Sequence, residues 1–367
     1  MTTMDRQNSP LLSRRTLIRT ATAGFGAVAL SAPFIRPSYA ARSLRISSYG
    51  GICEQSYAKY VYPAFTRSTG IAVESISQPA GLAFLLQLDQ ANRNGSVPMD
   101  VVLLSQLDIL RARSMNMLRR FDPKRLPTLD QIPARYLSQG PAGLDGVGVM
   151  AWYTSLVINT DVHKQLPDSW HVFWEKSDQP SWGISGGGGL SLLFDITAQL
   201  FLGGPQALDS HAGIDAAIEK MAEAKPNVQL WWEDEGTMQT ALQNEEVVGG
   251  TYFNDDANTL MKAGMPLRSI FPKEGAVEDY GCWCQPTAST KLDEAYAFIS
   301  FSCTPEAQAL IAEHEGSAPV MDVAKLDLPH GALDGIKPTN TPISVNFEAR
   351  LRMLDYMTQK FNKMISS

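Results

Sequence analysis

Asp100-Val101-Val102-Leu103-Leu104 is a compact apolar run followed at once by the polar Ser105-Gln106. Apolar on both faces, it reads as a strand buried within a parallel sheet. Upstream of it, Phe84 to Ala91 reads as a helix with Gly95 after it, and Ile71 to Ile76 as a strand. A further helical stretch stops at Gly70, a good C-cap residue. Pro63 lies inside that stretch, so the helix kinks or begins there. Leu44-Arg45-Ile46-Ser47 is another short strand, ending at Gly50-Gly51. Strand, helix, strand, helix, strand makes a pair of βαβ units. Such sheets bind ligands beyond the carboxyl ends of their strands. Here those ends are Ser47 to Gly51 and Ser105-Gln106.

On the C-terminal side, Phe121 to Gly148 is rich in loops and carries four prolines. Gly148 to Asn159 is strand-like, with Trp152 and Tyr153. Ser181 to Ser185 is a strand that runs into Gly186-Gly187-Gly188-Gly189 and an apolar helix, Leu190 to Leu202. Val247 to Tyr252 is again a strand, followed by Asn254-Asp255-Asp256. Thr304 is placed as an N-cap before Pro305, and Gly316 ends that helix. Phe347, Leu351, Leu354, Phe361 and Met364 share one helical face near the C-terminus. Recurring α/β elements predict two α/β lobes.

The chain has 367 residues, 44% of them hydrophobic and 19% charged, enough for a sizeable core. Residues 1–40 differ from the rest: five Arg and one Asp are their only charges. Ser13-Arg14-Arg15 leads into the mild apolar stretch Ala21 to Leu30, then Ser38-Tyr39-Ala40. This order predicts a twin-arginine export signal cleaved after Ala40, and a periplasmic protein. Without that segment the net charge moves from −7 to about −11. An acidic body argues against nucleic acid and anionic membranes as partners, and suits cationic or zwitterionic small ligands.

The usual catalytic patterns are missing. His163, His171, His211, His314 and His330 fall in no zinc spacing, and G-x-S-x-G, G-x-G-x-x-G and the Walker lysine are absent. No catalytic residue, metal site or cofactor is expected, and the chain is read as a non-enzyme. The four glycines are a flexible turn or, at a helix N-terminus, an anion cradle. Cys282 and Cys284 share one face of a strand, which suits neither a mutual bond nor a zinc knuckle. Cys53, Cys282, Cys284 and Cys303 are buried free thiols, or Cys53 pairs with Cys282 or Cys284.

Five stretches together resemble the spermidine/putrescine-binding group of extracellular solute-binding proteins, the periplasmic receptors of ABC importers. They are Leu44 to Gly51; Phe65 to Val73; Asp100-Val101-Val102; Val157-Ile158-Asn159-Thr160-Asp161 with Pro167-Asp168-Ser169-Trp170; and Phe271-Pro272-Lys273-Glu274-Gly275-Ala276. The resemblance implies a two-lobed periplasmic binding protein fold of type II. Each lobe is a mixed sheet flanked by helices, and a hinge closes the ligand cleft between them. Crossings near Trp152, Phe253 and Cys303 then place 41–152 and 254–303 in the N-terminal lobe, and 153–253 and 304–367 in the C-terminal one. It also implies a monomer, with membrane permease subunits as separate chains. A ligand-binding adaptor for a membrane sensor, or an enzyme on the same scaffold, are the competing classes.

Carried over position by position, the resemblance implies a pocket of Tyr49, Gly51, Ser105, Trp152, Trp232, Asp234, Tyr252, Asp255 and Tyr280. Ring faces and the Asp255 carboxylate would grip an ammonium. The family's other acids are replaced: Gly50 and Gly51 follow the first-strand aromatic, Ser191-Leu192-Leu193 opens the helix after the glycines, and Gly281 stands near Glu278 and Asp279. One assured carboxylate fits one ammonium, because each desolvated charge needs its own compensation. One expectation is therefore a zwitterion such as γ-aminobutyrate or an amino acid–sugar conjugate, its far end at Ser185, the glycine loop and Ser191. The other is a polyamine, with Glu233, Asp234, Glu278 or Asp279 standing in for the missing acids.

Overall fold

The computed structural model describes residues 42–79, 81–176, 178–179 and 181–367. The export signal expected over 1–40 lies outside them. Chain order begins β1 (Ser43–Tyr49), α1 (Ile52–Ser56), α2 (Tyr62–Thr69), β2 (Ala72–Gln78), α3 (Leu82–Arg93), β3 (Val101–Ser105) and α4 (Gln106–Ser114). β4 (Leu137–Gly140) and the long β5 (Gly143–Asn159) follow. Next come β6 (Trp182–Ser185), α5 (Leu193–Phe201), α6 (His211–Ala224), β7 (Val228–Trp232), α7 (Glu235–Gln243), β8 (Gly249–Phe253), α8 (Asn254–Lys262) and β9 (Leu267–Ile270). The chain returns through β10 (Val277–Cys284), α9 (Leu292–Ser302), α10 (Pro305–His314), β11 (Ala318–Pro319), β12 (Ile343–Ser344) and α11 (Phe347–Ser366).

The strands join in the order β2-β1-β3-β10-β5-β8-β6-β7. β1 pairs parallel with β2 and β3, as the two βαβ units require. β10 runs antiparallel to both β3 and β5, so it stitches that parallel sheet to the long strand. β5 continues the sheet to β8, and β8 pairs parallel with β6. Glycine is required where β8 meets β6: at Gly250, φ is +157°, and a Cβ there would fall 1.7 Å from Gly183 O. Pro63 enters α2 directly after a π-helical turn, Tyr57–Val61, that absorbs its missing N–H. Thr304 caps α10 by accepting the Ala307 N–H at 3.3 Å.

The core divides along the chain. One apolar cluster joins Leu44, Phe65 and Tyr57 to Trp283 and Phe298, and its neighbour across the sheet holds Leu85, Leu104, Cys282 and Cys284. Leu156, Trp170, Phe194 and Phe361 form a separate cluster, next to one of Val157, Met238 and Tyr252. Two segments pack differently from the sequence grouping. Ala257, Leu260 and Leu267 pack with Val157 and Met238, so α8 and β9 side with β8. Ala307, Ile311 and Ala318 pack with Leu44 and Phe65, so α10 and β11 side with β1. The chain passes between clusters at β10 and again after Met321, because the hydrophobic faces of these helices meet those sheets.

α11 is amphipathic as expected, but its fully buried face is Ala349, Arg350, Met357, Phe361 and Met364, with Leu351 and Leu354 half-buried. All four cysteines are buried free thiols. Cys53 and Cys282 lie in different clusters, on opposite faces of the sheet, so the pairing considered for Cys53 is not formed. Among the described residues no helix is long and apolar enough to cross a membrane. No group of three or more His, Cys, Asp or Glu among them could hold a metal ion.

Candidate functional site

A cavity of about 920 Å³ opens where the carboxyl ends of β1, β2 and β3 meet β5, β8 and β10. Tyr49, Gly50 and Gly51 come from the end of β1, Ser77 and Gln78 from β2, and Ser105 from β3. The central strands add Met150, Trp152 and Asp279. From the other side come Glu235 at the start of α7, then Phe253, Asp255, Asp256 and Thr259. Glu315 and Ser317, just past α10, complete the wall with Ile52, Cys53 and Pro79.

The walls have distinct chemistry. Tyr49 meets Trp152 edge to face, with centroids 6.1 Å apart and planes at 89°. Space for the indole comes from Gly281, where a Cβ would stand 3.2 Å from Trp152 Cζ3. Gly281 therefore makes room for an aromatic wall. Gln78 is committed: it donates to Leu103 O at 2.6 Å and accepts from Ser47 Oγ.

Five carboxyl groups line the cavity: Glu235, Asp255, Asp256, Asp279 and Glu315. No Lys, Arg or His stands among the described lining residues. Burial raises the Asp255 carboxyl, Glu235 adds to the rise, and backbone N–H groups at the start of α8 oppose it. Asp255 Oδ1 is buried without a hydrogen-bond partner. Burial, then repulsion from Asp255 and Glu235, pushes Asp256 up to about 7. Glu315 also rises to about 7, through burial and Asp255, although Ser317 N–H donates to it at 2.8 Å. Asp279 rises to about 7 through burial, against donation from the Gln106 amide at 3.0 Å and Tyr280 N–H at 2.7 Å. A partly buried cavity lined by carboxyls and no basic side chain favours cations over anions.

Five of the sequence-derived residues line this cavity: Tyr49, Gly51, Ser105, Trp152 and Asp255. Tyr252 and Trp232 stand behind the wall. Tyr252 is buried and donates to Glu235 O at 3.2 Å, and Trp232 packs edge-on against Tyr252 and Phe253. Asp234 is spent as the N-cap of α7, accepting from Thr237 N at 2.9 Å and Thr237 Oγ1 at 2.6 Å. Tyr280 points away, packing edge-on against Tyr136 at 5.1 Å.

Ser185, the glycine loop and Ser191 are elsewhere. Ser191 Oγ donates to Ser185 O, and Ser185 N–H donates to Thr251 Oγ1 at 2.9 Å. Gly189 N–H donates to Thr358 Oγ1 at 3.0 Å, while Arg350 donates to Gly189 O at 2.9 Å and Ser191 O at 3.2 Å. Gly189 is thus held by α11, while the Gly186 N–H donates to Trp232 O. Of the possible substitute acids, only Asp279 reaches the cavity. Glu278, one residue away on the strand, faces the opposite side and accepts from Tyr136 OH at 2.8 Å and Tyr153 OH at 3.1 Å. Glu235, Asp256 and Glu315 were not singled out. Asp256 could have been, as the neighbour of Asp255; Glu315 sits at a helix end and carries no local signal.

Residues 61–332 match the family of bacterial extracellular solute-binding proteins, and the chain belongs to that family. A gamma-aminobutyric acid-binding protein of Pseudomonas aeruginosa is 26% identical over 291 residues, covering 76% of this chain and 77% of that protein. A spermidine/putrescine-binding periplasmic protein of Salmonella typhimurium is 24% identical over 293 residues, covering 76% and 80%. The fold matches the spermidine/putrescine substrate-binding protein of Streptococcus pneumoniae with a TM-score of 0.71 at 19% identity, over 88% of this chain and 99% of that one. The solved structure of the Atu4243-GABA receptor matches with a TM-score of 0.70 at 19% identity, over 88% of this chain and 98% of that one.

Proposed function

We propose that the chain is the periplasmic receptor of an ABC importer and that it captures a small aliphatic cation carrying more than one amine. The observation that carries this reading is a cavity wall of five carboxyl groups with no basic side chain among its described residues. Each ammonium that leaves water needs a compensating charge, and here several are available. Methylene groups between the amines would lie on Trp152, Tyr49 and Phe253. The spermidine/putrescine-binding relative supports the same ligand class.

In this reading the lobes close over the ligand without chemistry, the receptor acts as a monomer, and separate permease subunits in the inner membrane receive the cargo. A twin-arginine signal over 1–40, cleaved after Ala40, would deliver it to the periplasm. The likeness to a γ-aminobutyrate-binding relative favours a zwitterion as the second reading. A carboxylate would then need donors that the lining offers through hydroxyls and protonated carboxyls.

The test is a thermal-shift titration with putrescine. A ligand at about 100 times its Kd adds roughly 2.7 kcal/mol to stability. Putrescine should raise the melting temperature of the protein, and Asp255→Asn should remove that rise. A variant that responds as the parent does would remove Asp255 from the site.

A further inference from the structure

The acidic wall has an internal conflict. Asp255 and Asp256 open α8, Glu235 opens α7, and Glu315 follows α10, yet all four line one cavity. Repulsion from Asp255 acts on both Asp256 and Glu315, and Glu235 acts on Asp255 and Asp256. The other titratable groups here relieve none of it. Cys53 and Tyr49 are neutral, both held well up by burial. Tyr252 OH is occupied by Glu235 O. On the first-strand side, Asp279 adds a fifth acid; Asp108 behind it is already paired with Arg111 at 3.2 Å. His314, next to Glu315 in sequence, stacks on Tyr60 and sits 3.7 Å from Glu313.

Asp255, Asp256 and Glu315 are partly buried on one cavity wall, and like charges gathered there resist ionising together. Without a ligand this repulsion favours keeping protons on the cluster. A cation that enters supplies the missing charge. Resting on the amine-receptor reading above, we propose that ligand capture is a proton exchange: an ammonium enters the Asp255–Asp256–Glu315 cluster and carboxyl protons leave to solvent. The balance is simple. A carboxylic acid and an ammonium become a carboxylate–ammonium pair plus one proton released to buffer. Affinity then rises with pH through neutrality, and an acidic exterior favours release.

The experiment is calorimetric titration of putrescine into the full protein at pH 7, in phosphate and in Tris. Proton release makes the observed heat depend on the buffer's ionisation enthalpy. The expected result is up to about one proton released per ligand, with Kd tightening up to about tenfold per pH unit between pH 6 and 8. Glu315→Gln should lower the proton count and flatten the pH profile. Asp168→Asn, at an exposed carboxylate paired with Lys273, should leave both as in the parent. Equal heats in the two buffers, with putrescine bound, would overturn the proton exchange and leave the receptor reading standing. No binding of putrescine from pH 6 to 9 would overturn both.

Discussion

The side-chain amide of Gln106 donates to the carboxylate of Asp279 at 3.0 Å, tying the first residue of α4 to the strand that joins the two halves of the sheet. This gives the cavity two kinds of acid. Asp279 is already held by Gln106 and Tyr280, whereas Asp255 Oδ1 has no partner. A ligand with two amines uses both. Asp279→Asn should weaken putrescine by roughly 10- to 100-fold and a monoamine far less, because a lost buried charge pair costs about 2 kcal/mol or more. Calorimetry with putrescine and butylamine measures the contrast.

Stability should fall as pH rises toward neutrality. Asp256, Asp279 and Glu315 sit at about 7 in the folded protein, above ordinary carboxyl values of about 4 in the unfolded chain. Between those values the folded state binds more protons than the unfolded one, so the slope of stability against pH is negative. The lowered carboxyls Asp234, Asp215 and Glu294 contribute in the opposite sense, at pH values below about 4. The ligand-free protein should therefore melt several degrees higher at pH 5 than at pH 8, as read by scanning calorimetry. A higher melting point at pH 8 would contradict the buried acidic cluster.

Arg350 and Asp195 form a fully buried ion pair that also secures the glycine loop through Gly189 O and Ser191 O. Arg350→Ala should cost about 3–5 kcal/mol in denaturant unfolding, since it strands the Asp195 carboxylate and two carbonyls. The double variant Arg350→Met, Asp195→Leu should recover part of that loss.

Two aromatic residues test which side chains touch ligand. Trp152→Ala removes the apolar wall and should weaken amine binding roughly tenfold, the worth of a desolvated ring contact. Tyr252→Phe removes only the bond to Glu235 O, so it should cost about 1 kcal/mol of stability and a few-fold in affinity. A larger affinity loss at Tyr252 would place its hydroxyl on the ligand.

The first βαβ units were legible because Val101 to Leu104 is apolar on both faces and Gly70 and Gly95 mark the helix ends. So was the first-strand end of the cavity, since ligands collect at the carboxyl ends of parallel strands. The far wall was less legible. Nothing local distinguishes Glu315 at a helix end from a solvated acid; its placement arises from the long-range packing of α10 on the Tyr57–Val61 turn and β5. The glycine loop misled for a related reason. Its N–H groups suggest an anion site, but Thr358 Oγ1, more than 150 residues later in the chain, accepts the Gly189 N–H, Trp232 O accepts that of Gly186, and Arg350 donates to Gly189 O. Trp232 and Tyr252, expected on the ligand, do not line the cavity: alternation along β8 turns Tyr252 away from the side Phe253 faces, and Trp232 packs against both.

The most direct measurement is calorimetric titration of putrescine and of γ-aminobutyrate into the same protein at pH 8. The acidic cavity predicts saturable binding of putrescine, at least about tenfold tighter than any binding of γ-aminobutyrate. Tight binding of γ-aminobutyrate with none of putrescine would contradict the polyamine reading and would mean that the carboxyl cluster receives the ligand's carboxylate through its retained protons.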